Sequence, residues 1–379
     1  MGHILVVNAG SSSLKVKLFG EDMAEIDSAA VSEIGGAARL ATSGREEPCD
    51  APDHDRAAAL ILAALAGRGH GVETLAAAGH RVVHGGRRLT QPCRLTPETL
   101  AEIEALVPLA PLHNPANLAG IRALARLAPN LPQTASFDTA FHATNPEVAL
   151  RYAIPAEEDA NGLRRYGFHG LSYASLAARL PALSGAPLPR QLLALHLGNG
   201  ASLCAILEGR SVATTMGYSP LDGLTMGTRA GAIDGNAVLA LAARHGIEGA
   251  RRLLNRRSGL LALGGASDLR ELRRAGTREA AFALEHFAYW AVRHAGSMIA
   301  AMGGIDALAF TGGIGENDGE TRAAVMRALG FTGLAFDAGA NRAGARRLHT
   351  GGSRVAAWVV PAAEEAWIAA ETATLLGLG

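Results

Sequence analysis

The stretch Ile4-Leu-Val-Val-Asn-Ala-Gly-Ser-Ser-Ser-Leu-Lys-Val-Lys-Leu-Phe19 reads as strand, small-residue turn, strand. The same grammar returns near the middle of the chain, where Leu192–Leu197 runs through Gly198-Asn-Gly-Ala201 into Ser202–Leu207, and a Glu208-Gly-Arg210 turn leads into Ser211–Thr215. A further apolar strand, Ala307–Phe310, meets the Gly-rich run Thr311-Gly-Gly-Ile-Gly-Glu-Asn317. Two hairpin-led halves and a late Gly-rich loop predict an α/β protein of two duplicated domains around a cleft, with the domain change near residues 140 to 150.

Helices fill the intervals. Thr96, Pro97 and Glu98 fit an N-cap, a proline at the first helical position and an acid in the first turn, opening a helix to about Val107. Arg278–Met302 is a long periodic helix stopped by Gly303-Gly304, with Phe282, Phe287, Tyr289 and Trp290 as core or subunit contacts. Between Gly35 and Asp53 periodicity is lost, and a solvent-facing excursion is expected.

The 379 residues, 49% of them hydrophobic, exceed one ordinary core and suggest two domains. Lys plus Arg and Asp plus Glu balance at 35 each, so no overall basic field would draw nucleic acid or an anionic membrane. The start has no signal-like segment and no apolar run reaches spanning length, which predicts a cytoplasmic chain. Cys49, Cys93 and Cys204 are far apart and odd in number, so free thiols are expected. Only Lys15 and Lys17 are lysines among the basic residues, a bias toward arginine with a local demand for a compact ammonium as one reading of the exception.

Asn8 to Lys15 presents backbone N–H groups and hydroxyls with little cover, as a phosphate chain needs, although a plain hairpin turn has the same composition. No Walker loop occurs, and Gly313-Ile-Gly315 lacks the third glycine of a dinucleotide fingerprint, so phosphate binding would use hairpin loops. In Gly79-His-Arg-Val-Val-His-Gly-Gly86 the paired valines and flanking glycines favour a strand over a metal-binding helix. His80, Val82 and His84 then share one face, and Arg81 and Val83 the other, an arginine beside an apolar contact that suits a small carboxylate with an alkyl tail. Asp138, in Phe137-Asp-Thr-Ala-Phe-His142, and His169, in Arg165-Tyr-Gly-Phe-His-Gly170, look loop-borne, and a cap and a structural histidine are the plainer readings. Arg229, in Met226-Gly-Thr-Arg-Ala-Gly231, is uncrowded enough to clamp an oxyanion.

These stretches, with Pro111-Leu-His-Asn-Pro115, His196-Leu-Gly-Asn-Gly200 and Phe310–Asn317, resemble the acetate and propionate kinase family in order and spacing over nearly the whole chain. The resemblance implies a sugar-kinase, chaperone-ATPase and actin-like duplicated fold, and a homodimer. One domain would span 1–145, completed by a last helix at about 366–379, and the other 146–365. It implies transfer of the ATP γ-phosphoryl group to acetate or a similar short acid. Asn8 and Glu364 would hold Mg²⁺, with Mn²⁺ as a substitute. Lys15, His196, Leu197, Gly198, Asn199, Gly200, Asp268, Leu269, Arg270, Gly313, Ile314, Gly315, Glu316 and Asn317 would line the nucleotide. Arg81, Asp138, His169 and Arg229 would form the catalytic set, and Val83, Leu112 and Pro220 would contact the substrate's methyl group.

Against the family pattern, Leu171 and Tyr173 replace a threonine and a histidine, Ala232 an acid and Ala363 an asparagine. Propionate kinase is the alternative reading. A nucleotide switch and a polyphosphate phosphatase share the fold but do not require the Arg81, Asp138, His169 and Arg229 set. Acetate is already ionised near neutrality, so Asp138 is expected to act by charge and position rather than by proton transfer.

Overall fold

The computed structural model describes residues 2–378. The chain divides into two compact units, one built from the segment up to Ala140 together with the segment from Ala363 onward, the other from Phe141–Ala362.

The first unit is built on eight strands: β1 (His3–Gly10), β2 (Ser13–Phe19), β3 (Glu25–Ser32), β4 (Arg39–Thr42), β5 (Arg45–Pro48), β6 (Leu75–Val82), β7 (Cys93–Arg94) and β8 (Gln133–Phe137). They are ordered β5-β4-β3-β2-β1-β6-β8-β7. Strands β1, β6 and β8 are parallel, whereas β2 and β3 continue the sheet in antiparallel fashion. Along β2, Leu14, Val16 and Leu18 are buried while Lys15 and Lys17 point to the other face, the period of two that a sheet with one covered face imposes. Leu14 and Leu18 join Leu5 and Val7 in a core closed by Ile61 and Leu65 of the helix His54–Ala66 and by Leu124 of the helix Asn114–Leu127. A helix from Glu364 to Leu376 packs on β1, β6 and β8. Its approach is close: a Cβ on Gly79 would stand 2.3 Å from Thr372 Oγ1.

The second unit carries β9 (Gln191–Leu197), β10 (Ala201–Leu207), β11 (Arg210–Thr214), β12 (Ala307–Thr311) and β13 (Ala356–Val359), ordered β11-β10-β9-β12-β13. Strand β9 is parallel to β12, β12 is parallel to β13, and the β9–β10–β11 meander is antiparallel. This is the arrangement of β3-β2-β1-β6-β8, so the duplication expected from the two hairpins is present in strand order and direction. The helix Gly170–Ser184 buries Tyr173, Leu176 and Leu180 against Leu192, Ala194 and Ile206. The helix Arg278–Met302 lies on β9, β10 and β11 and buries Ala280, Ala283, Phe287, Ala291 and Ala295, with Gly303 (φ 74°) ending it. Phe287 is core, while Phe282 and Tyr289 are exposed.

Four expectations change. The segment between Gly35 and Asp53 is not a mere excursion: β4 and β5 form an edge hairpin, with Leu40 and Ala38 in the core. At four residues each, and with Arg45-Glu-Glu-Pro48 exposed as an edge strand tolerates, they show little alternation to read. The helix opening at Pro97 ends at Ala105, and a 3₁₀ turn takes over at Val107. Strand β6 ends at Val82, so Val83 and His84 belong to the following loop. The last Gly-rich segment is a short helix, Gly312–Asn317, entered through Gly312 at φ 78°. Among the described residues no helix is long and apolar enough to cross a membrane, and the three cysteines are free.

Candidate functional site

In the first unit the parallel pairing of β6 with β8 puts Arg81 opposite Ser136 and Val82 opposite Phe137, so Arg81 and Asp138 emerge together at the C-terminal ends of adjacent strands. Asp138 N–H donates to the Val82 carbonyl (3.1 Å). Arg81 Nε donates to Asp138 Oδ1 (2.9 Å) and Nη2 to Oδ2 (2.6 Å), a two-pronged pair in which Asp138 is 2% exposed. Burial opposes the charge of Arg81, but Asp138, Glu364 and Glu365 outweigh it and hold the guanidinium protonated well above its ordinary range.

The loop after β6 is held by amides. Asn117 Oδ1 accepts from Val83 N–H (3.0 Å) while its Nδ2 donates to the Ala9 carbonyl (2.7 Å), tying the loop to the end of β1. Asn114 bonds both the N–H and the carbonyl of His84, and Thr139 Oγ1 accepts from Gly85 N–H. Val83 is nearly buried there, whereas Leu112 is exposed. His80 is no ligand: it is enclosed, bonded to Gln133 Oε1 (2.7 Å), and burial pushes it down to about 4.

Asn8 sits across the β1–β2 ladder from Lys15, and both, with Lys17 and Glu365, border a cavity of about 310 Å³. Glu364 opens the last helix. Asn8 and Glu364 offer two hard oxygen donors, too few for an all-protein cage. They suit a small dication that keeps waters and takes phosphate oxygens, so the donor set fits Mg²⁺.

In the second unit His196 and Leu197 end β9, and the turn Gly198 to Gly200 leads into β10. His169 precedes the helix Gly170–Ser184 in a left-handed conformation (φ 60°, ψ 21°), unusual for a residue with a side chain. Its ring stacks on that of His196 at 4.1 Å between centroids. Ser202 Oγ lies 2.9 Å from His169 Nδ1, and Ser172 Oγ 2.8 Å from His196 Nδ1. The other nitrogen, Nε2, is turned toward Gly200: a Cβ there would lie 3.3 Å from it and 3.7 Å from Arg229 Nη1. A side chain at residue 200 would crowd both groups, and glycine lets them converge.

Arg229 Nη1 donates to the Pro220 carbonyl (3.0 Å), and no carboxylate among the described residues pairs with it. Burial lowers its pKa from the ordinary value. A partly buried guanidinium without a counter-charge carries a desolvation cost that an arriving anion offsets. The arginine loop is seated on the phosphate turn, since Gly227 N–H donates to the Asn199 carbonyl (3.0 Å) and a Cβ at Gly227 would run into Asn199 Oδ1.

Beside this place opens a cavity of about 750 Å³ lined by Gly198, Asn199, Asp268, Leu269, Arg270, Gly313, Ile314 and Asn317. Leu197 and Gly315 lie buried behind the lining, and Glu316 turns to accept from Ala362 N–H (2.9 Å). Sequence reasoning missed Ser267, Arg273, Asp318 and Glu320 on the same wall. Arg273 reaches both oxygens of Asp318 (3.0 and 2.8 Å) and also Glu320. Arg322, also missed, is 1% exposed and donates to the Gly315 and Glu316 carbonyls and to Asn341, clamping the Gly312–Asn317 helix from behind. No motif announces such a residue, one of two arginines in Gly319–Ala328.

Residues 3–370 match the model of the acetokinase family. The chain belongs to this family. It is 44% identical to the acetate kinase of Streptomyces griseus, over 99% of this chain and 96% of that one. Among acetokinase-like solved structures, acetate kinase from Porphyromonas gingivalis superposes with a TM-score of 0.92 at 38% identity, covering 99% of this chain and all of that one. A propionate kinase from Francisella tularensis superposes with a TM-score of 0.94 at 33% identity and the same coverage. The α/β fold with two sheets is therefore the acetokinase fold, and the protein is a kinase.

Proposed function

We propose that this protein reversibly transfers the γ-phosphoryl group of ATP to acetate, giving acetyl phosphate and ADP. The observation that carries the reading is the convergence on Gly200 of His169 Nε2 and of Arg229, which has no carboxylate partner among the described residues. Donors fixed before the reaction and aimed at one small volume are what in-line phosphoryl transfer needs, because charge spreads over the equatorial oxygens and no covalent chemistry is asked of the protein. The adjoining cavity of about 750 Å³ is of the size that takes a nucleoside. In this reading Lys15, the β9–β10 turn and the Gly312–Asn317 helix handle the nucleotide. Asn8 and Glu364 hold Mg²⁺, which supplies charge neutralisation on the phosphates.

Arg81 binds the carboxylate, with Asp138 fixing the guanidinium plane. Acetate needs no base to attack, so Asp138 works by position and charge. Val83, Leu112 and Pro220 set the length of the alkyl tail. Exposed Phe282 and Tyr289 on the helix Arg278–Met302 support pairing of two copies.

Propionate is the second reading, favoured by the likeness to the Francisella tularensis propionate kinase. Trapping acyl phosphates as hydroxamates across C2 to C4 acids separates the two. Acetate should give the highest kcat/KM, and Val83→Ala should move the ratio toward propionate by roughly tenfold, the scale of one methylene. Preference for propionate in the unmodified protein would exchange the readings; no hydroxamate with any acid would end both.

A further inference from the structure

His169 can donate from the ring edge turned toward Gly200 only if a proton is on Nε2, and which nitrogen holds the proton depends on what the other one touches. Nδ1 lies 2.9 Å from Ser202 Oγ, and Ser202 Oγ lies 2.5 Å from the hydroxyl of Tyr173. Ser202 and Tyr173 are both fully buried. The fold places them: Tyr173 stands one turn after His169, its N–H bonded to the His169 carbonyl (3.1 Å), on the face of Gly170–Ser184 that packs on the sheet. Ser202 is the β10 residue paired with His196, whose ring stacks on His169. Each hydroxyl has one proton to give. A phenol is the stronger acid and the weaker acceptor, so Tyr173 donates to Ser202, Ser202 donates to Nδ1, and Nδ1 takes the bond through its lone pair.

We infer that Tyr173 is a positioning residue that acts through Ser202 to keep the proton of His169 on Nε2, aimed at the transferring phosphoryl group. Tyr173 stands where the family pattern has a histidine, so this chain uses a tyrosine–serine relay of its own. The consequence for catalysis rests on the phosphotransfer reading of His169; the tautomer does not.

The test is nitrogen-15 spectroscopy of the full chain with labelled histidine, the His169 signals being assigned by their loss in His169→Gln. In the unmodified protein Nδ1 should be unprotonated and Nε2 protonated. Tyr173→Phe, which removes one oxygen, should give a mixture of tautomers and a kcat about tenfold lower, with KM for ATP and acetate within about twofold, as expected when one neutral hydrogen bond to a transition-state group is lost. A proton on Nδ1 in the unmodified protein overturns the inference, whether or not the variant folds. So does an unchanged His169 signal in Tyr173→Phe. Full turnover in His169→Gln alongside the Nε2–H tautomer would remove the phosphotransfer reading of His169 while leaving the relay in place.

Discussion

Two arginines in the candidate site sit in opposite electrostatic settings. Arg81 is held by both oxygens of Asp138 and by the field of Glu364 and Glu365, whereas the partly buried Arg229 meets a carbonyl and a thioether. Removing them should therefore have different costs. Arg229→Ala should lower kcat by about 10² or more while leaving the urea midpoint almost unmoved, because a partly desolvated cation with no carboxylate partner is no stabiliser. Arg81→Ala should lower activity and also destabilise by about 3–5 kcal/mol, since it strands the enclosed Asp138 carboxylate. Equal unfolding midpoints for the two variants would refute this contrast.

His80 adds a pH signature. Its folded pKa of about 4 lies below the ordinary 6.5, so the unfolded chain binds more protons between those values. The group's contribution is complete above pH 6.5 and is lost as pH falls toward 4, reaching roughly 3 kcal/mol for a shift of that size. His80→Gln should flatten that part of a stability–pH curve measured by urea unfolding, and an unaltered slope would contradict it. Arg81, Asp138, His169 and Arg229 were each legible from turn residues and motif order. The Tyr173–Ser202 contact was not, because it depends on strand register and helix rotation that no local pattern states.

At the scale of elements, hairpins were legible and edges were not. The β1–β2 and β9–β10 ladders follow from apolar runs broken by small residues, and Arg278–Met302 from its period and its terminal glycine. Strands β4 and β5 escaped because four-residue edge strands with charged faces lack a period. The segment Gly312–Asn317 read as a loop because three glycines lower helix propensity, and tertiary support from Arg322 overrides that preference. Arg322→Met keeps much of the length but gives up its hydrogen bonds to Gly315, Glu316 and Asn341. It should raise KM for ATP by about tenfold or more with a smaller effect on KM for acetate, and destabilise by about 2–4 kcal/mol. A variant with unchanged KM for ATP would show that the clamp does not shape the nucleotide wall.

Across the whole molecule the repeated strand order, β3-β2-β1-β6-β8 and β11-β10-β9-β12-β13, gives each unit a hairpin turn at the end of its first strand. One turn joins the strands that carry Asn8 and Lys15 and the other those that carry His196 and Ser202, the two loops that the proposed function assigns to phosphate. Neither sheet needs a Walker motif for this. The central claim is that the phosphoryl group passes directly from ATP to a carboxylate. A rapid-quench single turnover with γ-labelled ATP, Mg²⁺ and enzyme in excess, run with and without acetate, tests it. The account predicts that label appears in acetyl phosphate alone when acetate is present, and stays in ATP when it is absent. Label on the protein, or release of inorganic phosphate at the same rate without acetate, would contradict it.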